Sequence, residues 1–539
     1  MRLILLSIYP SETMARYLLS SYILKAYLYS YFKSDKGLSI EVLNFSNTSD
    51  ISTICETIIE SNPDYVGYSC YIWNIEKILK IIKQVRKKSK PILHILGGPE
   101  ISLKRILSFQ NSSPDSYYVI GEGERKLLLL LSYFDEKYND SAEEFPRGVA
   151  HWKEGSLYYR ASGDSITNLD EIPSVYISGA IGDSLYARQQ AFMETQRGCK
   201  LRCKYCVYHK NLQSIDYYSL ERVFAELEHL IVKKQVKALR IFDAIFTSDI
   251  QRAKSIIRYL QQLKSSTNIR LPFIYWELTC RHIDEEFMKL TADLKYRESI
   301  CNSEEIAPRN RPQLYTEMLK DYTAINCVGI QSFCKEALKA VGRPLITAAK
   351  FKSFMNNVKR YNIVLKLDLI LGLPFETYES YFEGIELILP FLKSTDHILN
   401  IHRQQILPGS DMETLCDTYG IRYSLEAPHI VFSTQCLSED ELNHASKLTA
   451  VLLRVLNSPL RHIFFSAEEN AEGGLLGLLE DLWYKINTQG EFAQTGLIRN
   501  ELVDDEYWND GIFREIPSEW LIEFFEGHGM RKKYVRLQH

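Results

Sequence analysis

The stretch Met193-Glu-Thr-Gln-Arg-Gly-Cys199-Lys-Leu-Arg-Cys203-Lys-Tyr-Cys206-Val-Tyr-His209 decides the fold of this chain. Its three cysteines follow a glycine, with three residues between the first two and two residues between the last two. Three thiolates this close together can hold three corners of a cubane iron–sulfur cluster. No fourth cysteine lies in the stretch, so one iron is expected to stay open for a substrate or cofactor.

Two other interpretations of the three cysteines remain open. Zinc sites usually pair Cys-x2-Cys units or add histidines at matching spacing, and His209 could supply a fourth ligand here. Three unrelated buried cysteines are the other alternative. The remaining cysteines are scattered, mostly within apolar segments, where small buried thiols are expected.

The cysteines and Tyr205 resemble the Cys-x3-Cys-x-aromatic-Cys signature of the radical S-adenosylmethionine (SAM) superfamily. The resemblance implies a [4Fe–4S] cluster held by Cys199, Cys203 and Cys206, with Tyr205 in the aromatic position. In that family the open iron chelates the amino and carboxylate groups of SAM. One electron from the cluster then splits the sulfonium to give a deoxyadenosyl radical. The resemblance therefore predicts an enzyme.

Length and composition indicate a folded protein with more than one domain. The chain has 539 residues, 45% of them hydrophobic, and a net charge of −4 from 64 basic and 68 acidic residues. It has no basic tract, so no nucleic-acid partner is expected. The apolar start is too short for a membrane span and lacks a signal-peptide cleavage pattern. Because the cysteines do not suggest secretion, a cytoplasmic location without a membrane partner is expected.

Apolar strands alternate with amphipathic helices from residue 2 to about 125, which predicts a doubly wound parallel sheet within a domain at 1–150. Ligands of such sheets bind beyond the carboxyl ends of the strands. The loops expected there are Tyr9–Glu12, Ser69–Asn74, Gly97–Glu100 and Gly121–Glu124. Glycines in these loops let the backbone approach a large flat ligand.

Three segments of this domain, Val66–Asn74, Leu96–Glu100 and Ile120–Glu124, resemble the cobalamin-binding domain that precedes many radical SAM cores. The cobalamin contacts implied by the resemblance are Ser69, Tyr71, Trp73, Gly97, Gly98, Glu100, Gly121 and Glu122. The Asp-x-His-x-x-Gly motif that supplies a histidine to cobalt in some cobalamin proteins is absent, because Ile92 stands where its Asp would be. His94 is predicted to be a strand residue. A domain that keeps the fold without binding cobalamin remains an alternative.

A second domain at 191–425 repeats strand and helix about six times, after a linker at 151–190. The repeats resemble the partial (β/α)6 barrel of TIM type in the radical SAM family. Active sites of such barrels lie at the carboxyl ends of the strands. The residues expected around one cavity with the cluster are Asp243, Glu277, Arg281, Gln331, Ser332, Gly372, Pro374, Glu376, His402, Arg403 and Gln405.

Several barrel positions match radical SAM features, including Gly329-Ile-Gln-Ser332, Gly372-Leu-Pro-Phe-Glu-Thr377 and Leu407-Pro-Gly-Ser410. The contacts implied for SAM are Tyr205, Asp243, Glu277, Gln331, Ser332, Arg343, Gly372 and Glu376. Asp243 matches a position for the SAM ammonium group and Arg343 a position for its carboxylate. The alternatives are that Asp243 caps the next turn and that Arg343 is a surface arginine at a helix end.

The rest of the chain carries no motif that names a substrate. An insertion at 295–313, with Cys301, is expected to be a surface or partner element on the face opposite the active site. Residues 426–539 are predicted to be mostly helical, with Ser438 at the start of a long helix that runs to Leu456. The tryptophans Trp483, Trp508 and Trp520 are expected in the helices and loops that follow.

Three functions are compatible with these features. The first is cobalamin-dependent radical SAM chemistry, most often methylation of an unactivated carbon. The second is radical SAM chemistry without working cobalamin, such as a rearrangement, cyclisation or bond cleavage. The third is a non-catalytic iron–sulfur or zinc protein. The enzymes would take a small-molecule or peptide substrate and an electron donor of the flavodoxin or ferredoxin type.

Overall fold

The computed structural model describes residues 1–10, 16–32, 37–89, 91–110, 115–135, 145–161, 165–208, 214–294, 324–393, 395–457, 460–469, 471, 473–488, 521 and 524–527. The insertion at 295–313, together with His209, Cys301, Trp508 and Trp520, lies outside these described residues.

The first sheet has seven strands in the order β2-β1-β3-β4-β5-β6-β7. Their bounds are β1 Arg2–Tyr9, β2 Ser39–Ser46, β3 Tyr65–Ser69, β4 Leu93–Gly97, β5 Ser116–Val119, β6 Val149–Lys153 and β7 Ser156–Tyr159. The first five strands pair in parallel, as predicted. Because β1 lies between β2 and β3, the chain direction switches there, and ligands of open α/β sheets bind beyond such switch points.

Helices cover both faces of this sheet, and a hydrophobic core lies on each face. Their bounds are α1 Leu19–Tyr31, α2 Ile51–Glu60, α3 Ile75–Lys88, α4 Leu103–Ser108 and α5 Glu124–Phe134. β1 is buried along almost its whole length, as expected for a central parallel strand. α3 buries Ile75, Ile78, Ile81, Ile82 and Val85 at helical spacing and ends in three basic residues, which suit the negative end of the helix dipole.

Two antiparallel strands, β6 and β7, extend the first sheet into the residues assigned to the linker. The linker is also packed beyond this hairpin. Leu169, Ile172, Tyr176 and Tyr186 are buried in the core of the second domain. The Tyr176 hydroxyl donates a hydrogen bond to the Phe192 carbonyl at 2.5 Å and so ties the linker to the second domain.

The second domain is a six-stranded parallel sheet in the order β8-β11-β12-β13-β14-β15. Its strands are β8 Gln190–Met193, β11 Ala238–Ile241, β12 Phe273–Leu278, β13 Ala324–Gln331, β14 Leu365–Leu371 and β15 Ile398–Arg403. A short pair, β9 Gln196–Arg197 and β10 Asp216–Tyr217, flanks the cysteine loop. The predicted six-stranded partial barrel is therefore confirmed.

Helices follow the strands of this sheet along the chain. Their bounds are α6 Leu220–Glu228, α7 Ile250–Thr267, α8 Glu285–Asp293, α9 Lys335–Ala340, α10 Ala348–Arg360, α11 Tyr378–Glu386, α12 Leu389–Lys393 and α13 Asp411–Leu415. Along β12 the buried Ile274, Trp276 and Leu278 alternate with the less buried Phe273, Tyr275 and Glu277. Because side chains alternate between the two faces of a strand, the second set lines the concave face.

The remaining described elements are β16 Arg422–Tyr423, β17 Val431–Ser433, α14 Glu439–Leu456, α15 Arg461–Glu468 and α16 Gly474–Thr488. α14 has the predicted bounds, and Ser438 and Glu441 form a reciprocal capping box at its start. Among the described residues, no helix combines the length and apolar character needed to cross a bilayer.

Candidate active site

The cysteine loop begins directly after β9, beyond the carboxyl end of β8. Gly198 has a φ of +102°, and a Cβ atom there would collide with the Ser214 carbonyl oxygen, so the turn into the loop requires glycine. Burial, together with the nearby Cys203 and Cys199 thiols, raises the pKa of Cys206. The three thiols therefore lie in one half-buried neighbourhood.

The three thiol sulfurs of the cysteine loop do not all lie within 4.8 Å of one another. Among the described residues, one group of three His, Cys, Asp or Glu side chains has ligand atoms that all lie within 4.8 Å of one another. It consists of Glu277, Cys327 and Asp368. The sulfurs of the cysteine loop are therefore spread more widely. Four ligands about 2.3 Å from zinc would bring sulfurs within about 3.8 Å of each other.

Arg343 connects the cysteine loop to the barrel. Its Nη1 atom lies 3.4 Å from Cys203 Sγ and 3.4 Å from the Tyr205 hydroxyl. Its Nη2 atom donates to the Gly329 carbonyl on β13. The alternative of a surface arginine is therefore wrong, because this guanidinium reaches the predicted cluster ligand.

Asp243 is fully buried behind the same loop. Its carboxylate accepts hydrogen bonds from the Thr195 amide at 2.7 Å, the Gln196 amide at 3.2 Å and the Thr195 hydroxyl. Burial raises the pKa of Asp243 to about 7. The carboxyl group thus anchors the backbone that leads into the cysteines, and its contact with SAM stays a prediction.

Ser332 and Glu376 meet at the carboxyl ends of β13 and β14. The Ser332 hydroxyl donates to Glu376 Oε1 and accepts from the Cys334 amide at 2.9 Å. Burial raises the pKa of Glu376 to about 8, so this side chain is protonated at neutral pH. Gln331 and Gly372 flank the pair with φ values of +73° and +95°. These four residues gather where the sequence predicted SAM contacts.

Of the other predicted cavity residues, two arginines donate to backbone carbonyls, and two side chains lie on the inner face of the barrel. Arg403 faces away from the cysteines, because it donates to the Val431 carbonyl at 2.9 Å and to Asn443 on α14 at 3.0 Å. Arg281 donates to the Leu345 carbonyl at 2.8 Å. Glu277 and His402 belong to the concave face of the barrel.

The loop Ser69–Asn74 is held rigidly at the end of β3. Tyr71 and Trp73 stack with ring centroids 4.4 Å apart and an interplanar angle of 9°. The Trp73 indole donates to the Ile8 carbonyl at 3.1 Å, and Asn74 Oδ1 accepts from the Tyr71 amide at 2.8 Å. The loop therefore presents a fixed aromatic pair beside the switch point of the sheet.

His94 lies inside β4 and not at its end. Its Nδ1 atom is 2.9 Å from the Tyr68 hydroxyl, and burial lowers the pKa of His94 to about 3. The predicted assignment of His94 as a strand residue is therefore confirmed. No imidazole from this strand is placed to serve as a cobalt ligand.

The loop Gly97–Glu100 is packed against the region that follows the barrel domain. Gly98 has a φ of +116°, and a Cβ atom there would lie 2.5 Å from the Cys70 carbonyl oxygen. Glu100 is buried, with Oε2 at 3.5 Å from His429 Nε2 and 3.6 Å from Arg105 Nε. Among the described residues, neither Glu100 Oε2 nor His429 Nε2 has a hydrogen-bond partner.

Arg197 joins the two domains and was not identified from the sequence. Its guanidinium pairs with Glu122 at 3.1 Å and Glu124 at 2.8 Å in the first domain, and with Glu194 at 3.0 Å. All four side chains are largely buried. The sequence does place Arg197 two residues before Cys199. A charged residue at the entry to the cysteine loop was the available signal.

The residues at these strand ends fit the groups that the sequence implies. Gly98 lets its loop pack directly against the Cys70 backbone, where a Cβ atom would collide. Glu122 Oε2, like Glu100 Oε2, is buried without a hydrogen-bond partner among the described residues. The Glu122 oxygen is an acceptor that suits the amide groups that rim a corrin, whereas Glu100 Oε2 already lies near Arg105 and His429. Three clustered thiols beside a cationic Arg343 suit an anionic cluster.

Comparison with known proteins identifies two family domains. The family model of the B12 binding domain matches residues 22–131, and that of the Radical SAM superfamily matches residues 193–388. The first domain implies cobalamin, and the second implies a [4Fe–4S] cluster and SAM.

Curated relatives align with about two thirds of the chain. "Cobalamin-dependent radical SAM methyltransferase TokK" of Streptomyces tokunonensis is 23% identical over 69% of this chain and 51% of its own length. "2-(S-pantetheinyl)-carbapenam-3-carboxylate methyltransferase" of Streptantibioticus cattleyicolor is 24% identical over 66% of this chain and 48% of its own length. The matches therefore span about half the length of these relatives.

Solved structures share the fold. TsrM from Kitasatospora setae, with cobalamin and a [4Fe-4S] cluster bound, has a TM-score of 0.58 and 16% identity, covering 82% of this chain and 80% of its own. OxsB, with aqua-cobalamin and S-adenosylmethionine bound, has a TM-score of 0.60 and 15% identity, covering 99% of this chain and 80% of its own.

Proposed function

Because the chain belongs to the radical SAM superfamily, in the group with an N-terminal cobalamin-binding domain, we propose that it methylates an unactivated carbon of a small molecule. The observation that carries this proposal is the Arg197 bridge. It fixes the Gly121–Glu124 loop of the cobalamin-type domain to the strand that leads into Cys199. This contact supports an arrangement in which both cofactors bind at the same interface.

When bound, the cluster supplies the electron that cleaves SAM reductively, and cobalamin supplies a carrier for the methyl group. Cys199, Cys203 and Cys206 hold the cluster. Arg343, beside Cys203 Sγ, is placed to neutralise a carboxylate at the open iron. Two charged partners at such short range bind more strongly than neutral hydrogen bonds do.

Ser332 and Glu376 would serve SAM in a different way. The serine hydroxyl already donates to Glu376 Oε1, and the raised pKa keeps a proton on the glutamic acid. Oε2 of Glu376 has no partner among the described residues. The acid can therefore donate one hydrogen bond to a ligand without adding negative charge. Tyr205, Asp243, Gln331 and Gly372 complete the proposed SAM surroundings.

The proposed cobalamin contacts come from the loops at the ends of β3, β4 and β5. Tyr71 and Trp73 supply a preformed aromatic surface, while Ser69 and the glycines Gly97, Gly98 and Gly121 allow close approach of the backbone. Because His94 is held inside its strand by Tyr68, any ligand to cobalt from this side would come from water or from the Ser69–Asn74 loop.

Three further parts belong to the same proposal. The electron donor is of the flavodoxin or ferredoxin type, the location is the cytoplasm, and the acceptor is a small molecule. The names of two relatives, methyltransferases both, support the reaction type. A third relative, 20% identical, is named "4'-phospho-dehydrooxetanocin synthase", so the test has to count methyl groups directly.

The test uses the full chain, reconstituted without oxygen and supplied with cobalamin. Iron, sulfide and cobalt are measured per chain, and deoxyadenosine is measured after reduction in the presence of SAM. Deuterated-methyl SAM is then incubated with metabolite extracts from the source cells, and the products are searched for a labelled methyl group. Failure to retain cobalamin, or SAM cleavage with no labelled product, would contradict the proposal. The Cys203→Ala variant is the negative control.

A further inference from the structure

The concave face of the barrel is lined by polar side chains. Interiors of such barrels are ordinarily filled with branched apolar residues. Here the inward positions of β11 to β14 form a concave polar row of Arg240, Tyr275, Glu277, Cys327, Lys366 and Asp368. The strand registers pair Arg240 with Tyr275, Glu277 with Cys327, and Cys327 with Lys366. These side chains therefore line one continuous wall.

Within the row, Asp368 is satisfied by its own neighbours. Its carboxylate accepts hydrogen bonds from the Cys327 thiol and, at 2.7 Å, from the Asn400 amide. The Lys366 ammonium is 3.6 Å from the same carboxylate. Burial opposes ionisation, but Lys366 and His402 outweigh it and hold the pKa of Asp368 well below its usual range. This aspartate is a fixed anion with a fixed counter-charge.

Two opposite charges of the row, Arg240 and Glu277, are not engaged in an ion pair with any described residue. The Arg240 guanidinium lies 4.5 Å from the centroid of the Tyr275 ring. The Tyr275 hydroxyl donates to one Glu277 oxygen at 2.9 Å. Within the described ranges, neither Arg240 nor Glu277 has an opposite charge within 4.0 Å. Both are only partly buried, so each can pair with a ligand in the barrel.

The row lies next to the predicted cluster site. Asp368 is in register with Gly329, and Arg343 joins the Gly329 carbonyl to Cys203 Sγ. One arginine side chain therefore separates the row from the cysteine loop. A molecule held on this wall would have a reacting carbon close to the place where radical chemistry begins.

We propose that the concave polar row is the acceptor site and that it selects a zwitterionic small molecule, with an ammonium group on Glu277 and a carboxylate on Arg240. This rests on the proposed function, because it names the substrate class of the same barrel. It also gives Glu277 a role with the acceptor in place of the SAM contact expected from the sequence.

A divalent metal is the competing occupant, since the ligand atoms of Glu277, Cys327 and Asp368 lie within 4.8 Å of one another. Two observations disfavour it. The Lys366 ammonium already neutralises Asp368. The Cys327 thiol keeps its proton to donate to that carboxylate, and burial raises the pKa of Cys327 further.

The test measures binding by anaerobic equilibrium dialysis of the reconstituted holoenzyme. The probes are ω-amino carboxylates with two to six carbons, each compared with the alkylamine and the carboxylate of the same length. At least one zwitterion is expected to bind about tenfold more tightly than both single-charge analogues, because it fills two charged contacts. Equal binding of all three classes at every length overturns the inference.

Matched variants assign the contacts. Arg240→Met is expected to weaken binding of the best zwitterion about tenfold, to the affinity of the matching alkylamine. Glu277→Gln is expected to weaken it to the affinity of the matching carboxylate. The exposed Lys352→Met and Glu383→Gln serve as controls and leave binding unchanged. If Arg240→Met and Glu277→Gln weaken SAM binding as strongly as they weaken probe binding, the concave polar row binds SAM and the inference fails. A divalent metal beyond the cluster irons that is lost in Cys327→Ser also overturns it.

The same preparations separate this inference from the proposed function. Intact cobalamin binding and SAM cleavage, together with no preference for zwitterions, reject the inference alone. A preference for zwitterions in a protein that neither cleaves SAM nor holds cobalamin rejects the proposed function and leaves the recognition site standing.

Discussion

Arg343 Nη1 lies 3.4 Å from Cys203 Sγ, although 140 residues separate the two along the chain. A cation this close to a cluster ligand stabilises negative charge on the sulfur and on any carboxylate at the neighbouring iron. Arg343→Met is therefore expected to weaken SAM binding about tenfold, as loss of a contact worth about 1–3 kcal/mol would. SAM affinity is measured by anaerobic dialysis with cluster absorbance recorded in parallel. Ser332→Ala is also expected to weaken SAM binding. Arg360→Met, at an exposed position, is the control. Unchanged affinity in both active-site variants would show that the SAM contacts lie elsewhere.

The cysteine loop makes a direct prediction about metal content. The reconstituted chain should hold about four irons and four sulfides, because three thiolates and one open iron define a cubane cluster. Replacing Cys199, Cys203 or Cys206 by Ala should abolish both the cluster and SAM cleavage. Cys55→Ala, a buried cysteine of the first domain, should leave the iron content unchanged. One zinc per chain in protein made under anoxic, iron-replete conditions would contradict this prediction.

Glu376 predicts a dependence of stability on pH. Its pKa is raised from 4.5 to about 8 in the folded chain, so between those values the folded state binds more protons than the unfolded state does. Its stabilising contribution is complete below about pH 4.5 and is lost as pH rises through about 8. Glu376→Gln, which mimics the protonated acid, should lose less stability than the parent chain between pH 6 and pH 8.5. Each pKa unit corresponds to about 1.4 kcal/mol.

The measurement for Glu376 is the unfolding midpoint of the full chain at both pH values. Glu379→Gln is the control, since Glu379 is exposed one helical turn away. Burial also raises the pKa of Asp243 to about 7, so some loss of stability should persist in the Glu376 variant. Equal pH dependence of the variant and the parent would contradict the prediction.

The Arg197 bridge predicts that cobalamin binding depends on a residue of the barrel domain. Arg197→Met leaves Glu122, Glu124 and Glu194 without their cation, and breaking a buried ion pair in this way costs about 3–5 kcal/mol. The expected result is a lower unfolding midpoint and loss of most bound cobalamin at equal iron content. Combining Arg197→Met with Glu124→Gln should recover part of the loss, because it removes one orphaned charge. Full cobalamin retention in Arg197→Met would contradict the positioning role.

The locked position of His94 predicts the signal of Co(II) bound to the protein. Its Nδ1 atom is engaged by Tyr68, and its ring lies within β4, so no histidine nitrogen from this strand reaches cobalt. The Co(II) electron paramagnetic resonance spectrum should lack nitrogen superhyperfine splitting. His94→Ala should leave the spectrum unchanged, apart from any loss of folded protein. A nitrogen pattern on cobalt would refute the prediction.

Local signals in the sequence predicted much of this fold. The repeats of strand and helix predicted the second domain, and α14 has the predicted bounds. Such features depend on periodicity and capping within a short window, which a sequence displays directly. His94 was predicted as a strand residue for the same reason.

The residues that the sequence did not reveal depend on pairs far apart in the chain. Arg197 meets Glu122, 75 residues away, and Glu100 meets His429 from the region that follows the barrel. The antiparallel hairpin β6–β7 was read as linker, because its strands are short and only partly buried. Likewise, the concave polar row becomes visible only when strand registers align single residues of four strands.

The position of Arg197, two residues before Cys199, has a consequence for the maturation of this protein. The cysteine loop, which must accept iron and sulfide, follows Arg197, and Arg197 pairs with Glu122 and Glu124 of the first domain. The two halves are therefore not interchangeable modules. A barrel made without the first domain would keep Glu194 as a partner of Arg197 but would lose both glutamates of the first domain. A chimaera with a foreign corrin-binding domain would need to carry both glutamates with it.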